Sequence, residues 1–310
     1  MLDEPSRQLL AHLQQQGGPA FETLQIATLR AVMDGMTAAD SAGPEIARVE
    51  DINAALLHGN VSIRLYHPTP GKKLPVLIYY HGGGWISWNV KSHDPVCRRL
   101  SDAGQFAVIS VEYRLAPEHL FPAAVDDAYG IVDWIRANAD TLGVDRHRVG
   151  VAGDSAGGNL AAVVAHLMRD RGDVSLLFQA LMYPVTDATM SLPAYVEHAN
   201  DASLTAAVMR HFINTYLPAA ADRRHASVSP LFIDNFNGLP PAIVIVAEYD
   251  PLRDDGFHYA RRLRDAGIPV QVEHFAHSMH GFISMGGLIG PESGLKAIKL
   301  VADAFQKVCN

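Results

Sequence analysis

Cysteine is scarce in this chain of 310 residues: Cys97 and Cys309 are the only two. Two thiols cannot make a disulfide framework, and a chain this long does not depend on one, so a reducing compartment is expected. Long apolar runs are missing as well. The longest, Leu74 to Tyr80 and Ala242 to Ala247, are strand-sized rather than membrane-spanning. At the start of the chain, Asp3, Glu4 and Arg7 precede only a short apolar stretch, which is not the continuous hydrophobic segment of a secretory signal; a cytoplasmic location is the expectation. Basic charge is not in excess. The 25 Lys and Arg residues against 33 Asp and Glu give −8, no electrostatic footprint for nucleic acid or anionic lipid. Arg223-Arg224 and Arg261-Arg262-Leu263-Arg264 are too short to alter this, and the second falls on the solvated face of an amphipathic helix. Neither an internal repeat nor a low-complexity tract is present. With 48% hydrophobic and 19% charged residues, the chain has the composition to bury one large core or two modest ones, which excludes disorder as its main state.

What the chain does have is a regular alternation of patterns. Residues 1 to about 40 read as two helices, with Leu9, Leu10 and Leu13 on one face and then Ile26, Leu29, Met33 and Met36 at three- and four-residue spacing, separated by Gly17-Gly18-Pro19. From about 45 the period changes to two, clearest in Val61, Ile63 and Leu65, and predicts an edge hairpin ending at Pro68-Thr69-Pro70-Gly71. Near-continuous apolar runs follow at Val76–Tyr80, Phe106–Val111, Val149–Ala152, Leu176–Met182, Ile243–Ala247 and Val270–Val272. Such strands are buried on both faces, as in a parallel sheet. Helical patterns alternate with them at Val96–Ala103, Val125–Ala137, Leu160–Met168, Leu252–Ala266 and Leu295–Val308, so the fold class is α/β with a mostly parallel sheet between helices. One stretch breaks the rhythm. The 57 residues from 184 to 240 hold a helical segment, Leu204–Tyr216, but no core strand, and an insertion of that length usually forms a lid.

The strongest chemical signal is Gly153-Asp154-Ser155-Ala156-Gly157-Gly158, placed between a strand and a helix. Glycines at 153 and 157 permit a sharp turn that holds Ser155 at a crowded apex, the context a G-x-S-x-G match requires of a nucleophile. The run has neither the spacing of a dinucleotide-binding turn nor the lysine of a phosphate loop. Tyr80-His81-Gly82-Gly83-Gly84-Trp85 ends an earlier strand. Three consecutive glycines there suit close approach of bare N–H groups to a developing oxyanion, each donor worth roughly 3 to 4 kcal/mol. The donors are expected from Gly83, Gly84 and Ala156, with Gly82 as a further candidate. A general base is expected in His280, in a loop after the last strand, and its orienting acid in Asp250. Asp250 is preferred to Glu248 because it falls past the strand, next to Pro251. His274 and His277 precede His280 at three-residue spacing. They sit in a strand pattern that scatters them and lack the H-E-x-x-H arrangement, so no metal is expected.

These motifs, together with Tyr113-Arg114-Leu115-Ala116-Pro117-Glu118 and Asp250-Pro251-Leu252-Arg253-Asp254, resemble the hormone-sensitive-lipase family of carboxylesterases, of α/β-hydrolase fold, from about residue 45 to the C-terminus. The resemblance implies hydrolysis of short- to medium-chain carboxylic esters, small-molecule substrates attacked through Ser155, Asp250 and His280 with no cofactor. It also implies a helical cap made from residues 1–44 and the insertion 184–240 over a core of 45–183 and 241–310. Trp85, Tyr183, Phe212 and Phe282 are the expected pocket walls, and a monomer or homodimer the expected assembly. Gibberellin receptors of the same family bind without catalysis and have lost the histidine that this chain keeps as His280.

Overall fold

Apolar runs such as Val76–Tyr80 and Ile243–Ala247 lie in one eight-stranded sheet, ordered β1-β2-β4-β3-β5-β6-β7-β8 in the computed structural model, which describes residues 1–16, 19–38, 42–172, 176–200 and 203–310. The strands are β1 (Arg48–Leu56), β2 (Gly59–His67), β3 (Leu74–Tyr80), β4 (Ala107–Glu112), β5 (Val144–Asp154), β6 (Phe178–Met182), β7 (Ala242–Tyr249) and β8 (Val270–Met279). β1 and β2 form the expected antiparallel hairpin at one edge, and β2 pairs antiparallel with β4. From β4 to β8 every pairing is parallel. Leu176 and Leu177 precede β6 rather than joining it, and β8 runs seven residues beyond Val272, to Met279.

The helices are α1 (Glu4–Gln16), α2 (Ile26–Thr37), α3 (Asp94–Gly104), α4 (Ala123–Ala137), α5 (Ala139–Leu142), α6 (Ala156–Arg171), α7 (Ala194–Glu197), α8 (Ala206–Tyr216), α9 (Arg253–Asp265) and α10 (Pro291–Cys309). α3 and α10 pack together on one face of the sheet, and α4 packs with α6 on the other. Between them Val76–Tyr80 and Ile243–Ala247 are almost wholly buried, as a sheet covered on both faces requires. The expected separator Gly17-Gly18, the side chain of Leu13, and residues 201 and 202 of the insertion lie outside the described residues.

The strand order reverses between β3 and β5: the chain leaves β3 for β4 on one side and returns to β5 on the other. A crevice opens at the carboxyl ends of strands at such a reversal. The glycine run after β3 and the serine turn after β5 both end there, and β7 and β8 deliver Asp250 and His280 to the same edge. Parallel pairing thus gathers residues 81, 155, 250 and 280 that the sequence holds far apart.

Candidate active site

The serine turn is built from backbone. Ser155 has φ 55° and ψ −118°, a conformation that non-glycine residues rarely adopt and that the surroundings must hold in place. Its N–H donates to Met182 O (2.8 Å) and its carbonyl accepts from Asn159 N (3.0 Å), which pins the apex between β6 and α6. A Cβ on Gly157 would stand 1.9 Å from Tyr80 O, and one on Gly153 2.3 Å from the Gly157 carbonyl. Only glycine lets β3, β5 and α6 approach so closely.

Ser155, His280 and Asp250 come together in a line. Ser155 Oγ and His280 Nε2 are 3.0 Å apart, and His280 Nδ1 and Asp250 Oδ2 2.7 Å. Asp250 is fully buried, and its other oxygen accepts the Leu252 N–H at 2.8 Å. Glu248, the alternative acid, is instead inside β7 and accepts from His274 (2.7 Å) and Arg253 (3.2 Å). Tyr183 packs edge-on against the His280 ring, centroids 4.8 Å apart, and Ser203 Oγ donates to His280 O at 2.6 Å. An imidazole oriented by a carboxylate and hydrogen-bonded to a serine hydroxyl is the arrangement that activates an alcohol for attack on a carbonyl.

Of the expected oxyanion donors, Gly83 and Gly84 line the cavity beside Ser155 and His280, with φ 108° and 63°. Among the described residues neither N–H has a protein acceptor. Ala156 opens α6, where the first backbone N–H groups have no intrahelical partner. The expectation for Gly82 is corrected: its N–H donates to Asp154 Oδ1 at 2.9 Å and is therefore not free to serve an oxyanion. Asp154 is fully buried and also meets Tyr79 OH (2.8 Å) and His93 Nε2 (3.2 Å). Burial pushes its carboxyl up, but the opposing effects of His93 and Tyr79 outweigh this and hold it below the usual carboxylate range. His81, stacked on Tyr113 at 4.3 Å, is driven down to about 3 by burial and then by neighbouring His93, and so stays neutral.

The cavity, about 60 Å³, is walled by Phe21, Met33 and Met36 from the N-terminal segment, by Leu204, Val208 and Phe212 from the insertion, and by Trp88 and Met285. Phe212 is the one expected wall residue that lines it. Trp85 turns away and stacks on Tyr216 (4.6 Å), because the positive φ at both Gly84 and Trp85 reverses the chain; Trp88, three residues on, takes the wall position. Tyr183 and Phe282 stand one layer back, 5.6 Å from each other and behind His280. Missed in the sequence were Asp154, Ser203, Trp88 and Met285. The signal for Asp154 was in plain view between Gly153 and Ser155, whereas the other three carry no local pattern. His274 and His277 lie in β8, on Glu248 and on Met1 O (2.8 Å) respectively, and no cluster able to hold a metal occurs among the described residues.

Residues 77–284 match a family model described as alpha/beta hydrolase fold. The carboxylesterase NlhH of Mycobacterium tuberculosis is 41% identical over 250 residues, covering 77% of this chain and 78% of that protein. The chain belongs to the hormone-sensitive-lipase-like carboxylesterases. An ethyl acetate hydrolase of Pseudomonas putida is 34% identical to this esterase over 264 residues, 84% of this chain and 82% of that one. A hyperthermophilic esterase from the archaeon Pyrobaculum calidifontis superposes on it with a TM-score of 0.93 at 39% identity, covering 99% of each. The esterase is thus a serine carboxylic ester hydrolase of α/β-hydrolase fold. Among the described residues, none of its helices is long and apolar enough to cross a membrane.

Proposed function

We propose that the esterase hydrolyses short- to medium-chain esters through an acyl-enzyme on Ser155. His280 Nε2 takes the hydroxyl proton as Ser155 Oγ attacks the ester carbonyl, and the N–H groups of Gly83, Gly84 and Ala156 receive the oxyanion. His280 then gives the proton to the leaving alcohol, takes another from the water that attacks the acyl carbonyl, and passes it to Ser155 Oγ as the Ser155–acyl bond breaks and the acid leaves. Asp250 fixes the tautomer in which Nδ1 carries hydrogen and stabilises the imidazolium. The observation that carries this reading is the Ser155–His280–Asp250 line of 3.0 and 2.7 Å contacts at the mouth of an apolar cavity. The cavity is small, about 60 Å³, and its lining is mostly apolar, which favours the short end of the acyl range.

The cap assignment belongs to the same proposal: residues 1–44 and 184–240 cover the core of 45–183 and 241–310. Met33 and Met36 from the first segment and Leu204, Val208 and Phe212 from the second facing Ser155 across one cavity support it. A cytoplasmic location also stays within the proposal, on the scarcity of cysteine.

A series of p-nitrophenyl esters of increasing acyl length, beside anilides and lactones, tests the reading. Acetate through butyrate should turn over fastest, with kcat/KM falling as the chain outgrows the cavity. Preference for long acyl chains, or turnover of anilides alone, contradicts it.

A further inference from the structure

The turn from Gly83 to Trp88 is held in a conformation it would not keep by itself. Gly83, Gly84, Trp85 and Trp88 all have positive φ, which for the two tryptophans (62° and 61°) is a strained conformation. Strain of that kind persists only where the surroundings over-determine the backbone. Part of the constraint is local: Ile86 N and Ser87 N both donate to Gly83 O, at 3.2 and 3.0 Å. The rest comes from two helices far away in sequence.

From α2, Arg30 reaches across with its whole guanidinium. Nε donates to Ile86 O (2.7 Å), Nη2 to Ala116 O (3.0 Å), and the Nη1–Nη2 edge clasps Glu118 at 2.8 and 2.7 Å. Ala116 N in turn donates to Trp85 O at 2.9 Å. One turn further along α2, Met33 O accepts from Trp88 Nε1 at 2.8 Å, and Met33 Sδ lies 3.0 Å from Ser87 Oγ. From α8, Tyr216 stacks on Trp85, and Phe212 lies so close to Gly84 that a Cβ there would be 2.2 Å from its ring. The turn is gripped on both sides.

We infer that α2 is a working part of the oxyanion hole, with Arg30 a positioning residue that sets the Gly83 and Gly84 N–H groups through Ile86 O. This rests on the proposal that Ser155 is the nucleophile and that these amides bind the oxyanion. A planar fork holding two carbonyls and a carboxylate at once fixes the turn in three directions, which the single ammonium of a lysine cannot do. The hole is therefore assembled only when the N-terminal segment is docked, and the same helix that lines the acyl cavity with Met33 and Met36 also sets the rate.

The test compares Arg30→Ala, Arg30→Lys and Glu118→Gln with the parent enzyme on p-nitrophenyl acetate, at a temperature where each is folded by circular dichroism. Arg30→Ala should lower kcat about 10- to 100-fold with little change in KM, because misplaced donors weaken transition-state rather than ground-state binding. Affinity for a trifluoromethyl ketone, which forms a tetrahedral adduct with the serine, should fall by the same factor. Arg30→Lys should recover only part of the loss. Glu118→Gln removes the charge partner but leaves the contact to Ile86 O, so it should lower thermal stability and keep kcat within about threefold. Trp88→Phe, which deletes the donor to Met33 O and trims the cavity wall, gives a second lesion should Arg30→Ala fail to fold; a drop in kcat and ketone affinity together is expected there too. Unchanged kcat and ketone affinity in the folded Arg30 or Trp88 variants overturns the inference. Equal loss in Arg30→Ala and Glu118→Gln does so as well, because it reduces Arg30 to a tether. A parent enzyme whose Ser155 resists an organophosphonate would instead overturn the underlying reading, a different result from any of these.

Discussion

The serine turn and the glycine turn face each other across the same cavity and are held by opposite means. Around Ser155 the constraint is backbone against backbone: Gly153 and Gly157 let β3, β5 and α6 approach too closely for any Cβ, and the apex hydrogen-bonds to β6 and α6. Around Gly83 and Gly84 the constraint is largely side chains, from Arg30, Trp88, Phe212 and Tyr216. A nucleophile needs one fixed position, which the sheet supplies. In the proposed reading the oxyanion site is shaped by segments that also bound the acyl cavity, so rate and acyl selectivity would be set together.

The largest effect that could break this comparison is at the nucleophile itself. Ser155→Ala should cost on the order of a millionfold in kcat, with the unfolding transition preserved, since no packing is lost at a turn that glycines and backbone already fix. Single-turnover kinetics with p-nitrophenyl acetate measures it. Asp250→Asn comes next, at around ten-thousandfold in kcat through the wrong imidazole tautomer, whereas Glu248→Gln should cost far less because its carboxylate faces Arg253 and His274.

Glycine replacements sharpen the contrast. Gly157→Ala sets a methyl 1.9 Å from a main-chain oxygen that cannot swing aside, so soluble folded protein should be lost. Gly84→Ala meets first the ring of Phe212, a side chain rather than backbone, although the positive φ remains strained. That variant should fold and lose about 100-fold in kcat, measured on the acetate ester. Comparable folding defects in the two would erase the distinction drawn here.

The smallest effect concerns pH. His81 stays neutral in the folded protein to about pH 3, while the unfolded chain takes up its proton near pH 6.5. In that window the unfolded state binds more protons, so stability is full above about 6.5 and falls as pH drops toward the folded value, on the order of 2 kcal/mol by pH 5. Asp154, held below its ordinary range, adds a loss only at pH under about 4, as the folded carboxylate is finally protonated. Urea midpoints at pH 7 and 5 should show the histidine part, and His81→Phe, which keeps the stack on Tyr113, should flatten that slope. An unaltered slope assigns the acid sensitivity elsewhere.

How much of this was legible in the sequence follows the same division. Strand periods, the G-D-S-A-G-G run and the order Ser155, Asp250, His280 are local or follow from parallel topology, and the structure brings those three side chains together. The extent of β8 was not legible, because Glu273 and His277 interrupt the apolar pattern on an edge strand that needs burial on only part of its length. Trp85 and Trp88 look alike in sequence; which one faces the cavity depends on two consecutive positive φ angles. Arg30 carries no motif, since its three acceptors are backbone oxygens and a carboxylate 56 to 88 residues away.

Phosphonylation followed by peptide mass spectrometry tests the central claim most directly. A p-nitrophenyl phosphonate should release one equivalent of nitrophenol and leave one adduct, on Ser155, at a rate that collapses in His280→Ala. An adduct on any other residue, or none on an enzyme that still hydrolyses esters, contradicts the account.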